Sequence, residues 1–306
     1  MIELVGGALR ALVSETGAEL CALDGADGTE YLWRGDPALW ARHAPVLFPH
    51  VGRLPGGRYT WRGETYSLPL HGFAGERVFA VEARTPASVA LTLRDDAATR
   101  AQYPFAFLLR VEYALAGDML RACFTVENQG DGPMPFGLGA HPGFRVPLRE
   151  GLALDDYALR FGAPCRPLQH LLGDDCLMSG ETAPFSLREG VTLRLSSDLF
   201  DRDALVLSEM ARSVTLFTAY DWRTVEVTFP DAPYLALWQA PHAGAPFLCI
   251  EPWLSLPAPG GAEAEWSALP TLVQLSPGER RRFRWSVAVG RRARRRCGGI
   301  DGAGMP

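Results

Sequence analysis

No apolar run in this 306-residue chain approaches the roughly 18 residues that a membrane-spanning helix needs. The N-terminus, MIELVGGALRALVSETG, lacks a basic start followed by an apolar block, so no secretion signal is expected. The six cysteines, at 21, 123, 165, 176, 249 and 297, form no C-x-x-C pair. A zinc ribbon or redox motif is therefore not expected, and free thiols in a cytoplasmic chain are the simplest account. An excess of basic charge is also missing, since Lys+Arg of 30 against Asp+Glu of 35 leaves −5. That balance argues against a nucleic-acid partner, which a basic face would attract.

Several catalytic signatures are absent. There is no G-x-S-x-G elbow, no H-E-x-x-H, no phosphate-binding G-x-x-x-x-G-K-[ST], and no G-x-G-x-x-G opening a helix after a strand. Helical periodicity is scarce too. Asp36-Pro37 predicts a turn of helix through Ala41, and residues 95–102 predict another.

What dominates is short alternating runs closed by turn residues. RYTWRGETYSL (58–68) predicts two strands joined at Arg62-Gly63. FLLRVEYAL and MLRACFTVEN flank Ala116-Gly117-Asp118, and FSLREGVTLRL (185–195) repeats the pattern around Glu189-Gly190. SVTLFTA, TVEVTF and YLALWQA add further strands. Near the C-terminus Phe283, Trp285, Val287 and Val289 alternate with Arg282, Arg284, Ser286 and Ala288, a period of two. The fold class expected is all-β, a large antiparallel β-sandwich with a few short helices. No linker divides the chain, so residues 1–290 are expected to form one domain. Residues 291–306, RRARRRCGGIDGAGMP, have the composition of a basic, Gly-rich flexible tail.

Four stretches place chemistry-bearing side chains in unusual company. HAPVLFPHVGRLPGGRY (43–59) sets His43, His50, Arg53 and Arg58 among prolines and glycines. Irregular apolar backbone carrying a cation often lines a pocket, and Arg53 has a planar fork suited to hydroxyls or a carboxylate. LPLHGFAG (68–75) and GLGAHPGF (137–144) each set a histidine, His71 and His141, beside glycine and an aromatic residue. A turn needs only Gly and Pro, and a core only apolar groups, so neither histidine is demanded by structure. A loop histidine bonded to a carbonyl would look the same. In PFLCIEPW (246–253) Glu251 follows a strongly apolar strand. Burial there would raise its pKa toward the range of a general base at neutral pH, whereas a strand-end salt bridge would leave it inert.

In that order, HAPVLFPHVGRL, LPLHGFA, GAHPGF and CIEPW resemble the aldose 1-epimerase (mutarotase) family, most closely its LacX-like bacterial branch. TEYLW, DPALW and LFDRDALVL support the match, which runs from about Thr29 to Trp253. The resemblance implies a galactose mutarotase-like supersandwich. It also implies cofactor-free interconversion of the α and β anomers of a free aldose, with a small-molecule monosaccharide as substrate and no resident metal. His71 matches the histidine near the anomeric end of the sugar, and His141 the one expected to act as acid at the ring oxygen. Glu251 matches the base, Arg53 the hydroxyl-binding arginine, and Asp203 the sugar-binding aspartate, with Asp201 close by as a competitor. Two positions depart from the galactose-processing branch. Val51 stands where an asparagine is usual, and Gly143 where an aromatic is usual, with Phe144 one place later.

Ring opening removes the C1 hydroxyl proton while the ring oxygen gains one, which asks for a base and an acid on opposite sides of a small pyranose. Trp33, Trp40, Trp238 and Trp253 are candidates to stack on the sugar, although most sandwich tryptophans are core. Two other readings share the scaffold. A hexose-6-phosphate mutarotase would need extra cations at the rim, for which Arg42, Arg58 and Arg77 are available. A non-catalytic sugar-binding protein would tolerate loss of the acid or base. Sandwich lyases that use lysine are disfavoured, because all 30 basic residues here are arginine.

Overall fold

The computed structural model describes residues 1–261 and 264–291. The tail expected at the C-terminus lies, from residue 292 onward, outside the described residues. Among the described residues the architecture is two large antiparallel sheets with smaller ones at their margins. The nine-stranded sheet runs in the order Thr192–Arg194, Tyr157–Phe161, Ser213–Thr218, Arg223–Thr228, Arg280–Arg291, Met119–Asn128, Phe107–Ala116, Ser88–Arg94, Ala80–Thr85. The second sheet runs Met178–Pro184, Leu168–Leu172, Leu205–Ser208, Tyr234–Trp238, Phe247–Trp253, Gly139–Ala140, Val46–Leu47, with Gly143–Arg145 also pairing onto Phe247–Trp253. One short pairing, Ala264–Glu265 with Arg58–Trp61, is parallel.

The hairpins follow from turn chemistry. Arg62 (φ 53°) and Gly63 (φ 85°) both take left-handed backbone, the combination that matches strand twist in a two-residue turn. Phe107–Ala116 pairs with Met119–Asn128 throughout, as the alternation predicts. The 185–195 repeat forms only in part. Its turn closes through the bridge of Arg188 with Thr192, but the strand before it has already ended at Pro184, and Phe185 turns to bond Pro167 instead.

The helical expectations shrink. Residues 95–102 supply one α-turn, Ala97–Arg100, capped reciprocally by Asp96 and Thr99 at 2.7 and 2.8 Å. Asp36-Pro37 makes no helix. The Asp36 carboxylate accepts the Ala38 N–H at 2.9 Å, and the backbones of Asp36 and Trp40 pair across a tight turn, a local alternative that asparagine and aspartate offer in place of helix.

Alternation decides which face of the second sheet does what. Leu205, Leu207, Leu235, Leu237, Leu248 and Ile250 point into the core shared with the nine-stranded sheet, against residues such as Leu120 and Phe124. Their in-between neighbours point the other way. Val206, Ala236 and Trp253 pack with Leu47 and Val51, while Cys249 packs with Phe247 and Trp238. That outer face is not left to solvent; loops cover it, and a cavity opens there.

Candidate active site

The cavity holds about 430 Å³, within the ~300–1,000 Å³ range of small-molecule sites. His71, His141, Glu251, Arg53 and Asp203 all line it, although they come from five separate chain segments. Trp40, Trp238 and Trp253 line it too, whereas Trp33 stands behind, its ring 5.0 Å from Phe247.

Glu251 reaches the cavity because it lies two residues beyond Cys249 on the outer face of a strand buried from end to end. Its cross-strand partner is Ala236, and so small a neighbour leaves room above the carboxylate. The residue is 1 % exposed. Its Oε2 accepts the Trp253 indole N–H at 3.2 Å and lies 3.3 Å from His141 Nε2. Burial, and then the charge of Asp203, push the Glu251 carboxyl well above the usual range, with the indole N–H offsetting only part.

His141 follows the short strand Gly139–Ala140, and its backbone N–H donates to Pro45. Its ring stacks on Trp40 at 4.9 Å and meets His71 and Trp238 edge-on at 5.3 and 5.8 Å. Burial pulls the imidazole down to about 3, so the neutral ring is favoured. A carboxyl pushed up and an imidazole pushed down hold a single proton between them.

His71 sits at the end of a loop in left-handed backbone (φ 64°), a strained setting for a residue with a Cβ. Its N–H donates to the Gly52 carbonyl at 3.0 Å, and its Nδ1 accepts the Gly52 N–H, also at 3.0 Å. The second bond fixes the tautomer, leaving the ring proton on Nε2. Burial, then the neighbouring histidines and arginines, keep the ring neutral. Gly72 (φ 73°) must be glycine, since a Cβ there would sit 2.3 Å from the Phe48 carbonyl oxygen.

Arg53 and Asp203 face the cavity from other walls. The Asp203 carboxylate accepts the Trp238 indole N–H at 2.7 Å. The Arg53 carbonyl lies 3.1 Å from Nε2 of the buried His50, whose pKa burial lowers to about 4. His50 therefore shapes the loop rather than the cavity. Cys176, which lies in none of the four stretches, also lines the cavity, and its thiol lies in reach of both Arg53 and Asp203.

His141, Cys249 and Glu251 bring three donor atoms within 4.8 Å of one another. Burial, and then Glu251, push the Cys249 thiol well above its ordinary value, so a cation held there would have to displace the thiol proton.

The family model described as Aldose 1-epimerase matches residues 1–287. This chain belongs to the aldose 1-epimerase family. Protein LacX (plasmid) of Lactococcus lactis subsp. lactis is 34 % identical over 264 residues, covering 83 % of this chain and 88 % of that protein. A galactose mutarotase related enzyme from Lactobacillus acidophilus superposes with a TM-score of 0.90 at 32 % identity, over 94 % of this chain and 96 % of its own. A galactose mutarotase-like protein from Lactobacillus casei gives 0.88 at 32 %, over 94 % and 99 %. The antiparallel β-sandwich expected from the sequence is thus the galactose mutarotase-like fold.

Both departures from the epimerase family's galactose-processing pattern have local reasons. A Cβ at Gly143 would meet the Trp40 ring at 2.7 Å, so glycine there lets Trp40 lie against His141, while Phe144 turns into the core. Val51 is fully buried beside Leu47 and Trp253 and does not line the cavity. Of the two nearby aspartates, Asp203 faces the cavity. Asp201 lies 3.5 Å from the exposed His242 and is not among the lining residues.

Proposed function

We propose that this member of the family is an aldose 1-epimerase acting on a free aldose, without cofactor. The observation that carries the reading is the 3.3 Å contact of Glu251 with His141 in a cavity also lined by His71, Arg53 and Asp203. Transfer of the shared proton from carboxyl to imidazole yields a carboxylate and an imidazolium, the base and acid that ring opening uses. Glu251 takes the C1 hydroxyl proton, the C1 carbonyl forms, and the bond from C1 to the ring oxygen breaks. The ring oxygen takes the proton of His141. Rotation about C1–C2 and the same steps in reverse close the other anomer. His71, neutral and with its proton on Nε2, donates to the anomeric end, and Arg53 and Asp203 hold hydroxyls through charge-assisted bonds.

The expectation of acid and base on opposite sides of a pyranose does not match the geometry, since the two groups stand side by side. The C1 hydroxyl and the ring oxygen are both bonded to C1, so neighbouring groups reach both.

The free sugar is favoured over a 6-phosphate by the cations at the rim. Of Arg42, Arg58 and Arg77, only Arg42 lines the cavity, and it is already bound by Glu19 at 3.0 Å. Polarimetry of freshly dissolved α-glucose, α-galactose and glucose 6-phosphate tests both points. A clear rate on a free sugar supports the reading. A rate on the phosphate alone overturns the substrate assignment, and no rate on any of them overturns the activity.

The pH profile carries a separate expectation. An exposed imidazole would lose or gain its proton near 6.5, bending the rate there. Burial has pulled His141 down to about 3 and raised Glu251, so the pair keeps its one proton through neutrality. The ratio kcat/KM, which reports the free enzyme, should therefore stay flat across pH 6–7, falling only in acid, where the pair gains a second proton, and in alkali, where it loses its last. A sigmoid step centred near 6.5 would contradict this.

A further inference from the structure

Glu19 belongs to no motif singled out above, yet it is a carboxylate only 6 % exposed, and its hydrogen bonds converge on one wall of the cavity. Its Oε1 accepts the backbone N–H of His43 at 2.7 Å and of Ala44 at 3.1 Å. Its Oε2 accepts Arg42 Nε at 3.0 Å. Arg42 in turn donates from Nη2 to the Gly75 carbonyl at 2.9 Å. The segment held this way leads from Trp40, which stacks on His141, to Pro45, which accepts the His141 N–H at 3.2 Å. Gly75 belongs to the other wall, the loop that carries His71. Arg42 therefore bridges the supports of both histidines, with Glu19 behind it.

We infer that Glu19 and Arg42 are a positioning pair for the reacting groups, locking the Trp40 wall against His141 and tying it to the His71 loop. This rests on the epimerase reading. The pair does not hold the sugar; Arg53 and Asp203, on other walls, do that. Several contacts converge on a buried carboxylate that burial alone would push up. The His43 ring, the Arg42 charge and the backbone N–H groups outweigh that effect and keep it ionised. A mere filler of that space would need no charge.

The test compares Glu19→Gln, Arg42→Met and the double variant with the wild-type chain, by polarimetry on the sugar it turns over best. Small displacements of reacting groups cost up to about 10²-fold, so kcat should fall about tenfold or more in each single variant, with KM within about threefold. The double variant should lose less than the product of the two single losses, because the Glu19–Arg42 contact is common to both. If Glu19→Gln does not fold, Gly75→Ala serves instead. A Cβ there would stand 2.7 Å from Arg42 Nη2, displacing the guanidinium while sparing the carboxylate, and the same loss of kcat is expected. Folded variants with kcat within twofold of wild type overturn the inference, as does a rise in KM with kcat unchanged, which would make Arg42 a sugar-binding group. A lowered melting temperature alone, with kcat intact, reduces the pair to a structural role. A wild-type chain with no rate defeats the epimerase reading and this inference together, whereas an active wild type with unaffected variants defeats only the pair.

Discussion

Replacing Glu251 by glutamine should leave a folded protein whose turnover falls about 10²–10⁴-fold, the usual worth of a positioned proton-transfer group. The substitution is nearly isosteric. Both contacts of the native carboxyl fall on Oε2, so an amide oxygen placed there can accept the Trp253 indole N–H and also an N–H from His141 Nε2 in the neutral tautomer protonated at that nitrogen. What disappears is the ability to take a proton. Because the native group is buried and held uncharged at a cost, its removal should change stability by no more than about 1 kcal/mol, and a gain is as reasonable as a loss. Polarimetry alongside a melting curve separates the two effects. A wild-type rate in this variant would remove Glu251 from the reaction.

His141→Asn should cost a similar factor in turnover, but it should also destabilise. The imidazole packs among Trp40, His71 and Trp238 at 4.9–5.8 Å, and a smaller side chain leaves part of that space empty. A loss of about 1–3 kcal/mol is expected from the missing packing. The double variant with Glu251→Gln should turn over no more slowly than the worse single one, because acid and base act as a unit on one shared proton. If the losses multiplied instead, the two groups would be working independently, and the shared-proton account would fail. Wild-type rates in both single variants would reject the assignment altogether.

Much of the fold was legible before any coordinates. Period-two alternation with Gly and Pro turns marked the hairpins at 58–68 and 107–128, because both signals are local. The 36–41 helix failed for an equally local reason, an aspartate side chain that caps a turn instead. The candidate site was legible in part. His71 and His141 were conspicuous because nothing structural required them, and Glu251 because it followed an apolar strand. Arg53 stood out as a cation among glycines and prolines, and the resemblance to a family added Asp203. Glu19 and Cys176 went unnoticed. Glu19 sits in the ordinary run AELCALDG, and Cys176 in a turn rich in Asp and Gly. A residue whose partners are distant in sequence leaves no pattern in its own neighbourhood.

The sequence by itself determined the strands, their turns, the class of fold and the family, because backbone propensity and alternation act over a few residues. Tertiary structure alone decided which face of the second sheet became the site. Alternation says that Glu251 opposes Ile250; it does not say that loops from residues 40–53, 69–76 and 203 roof the outer face and exclude water from it. That enclosure pulls the His141 imidazole down to about 3 and raises the Glu251 carboxyl, because desolvation is a sum over atoms gathered from the whole chain.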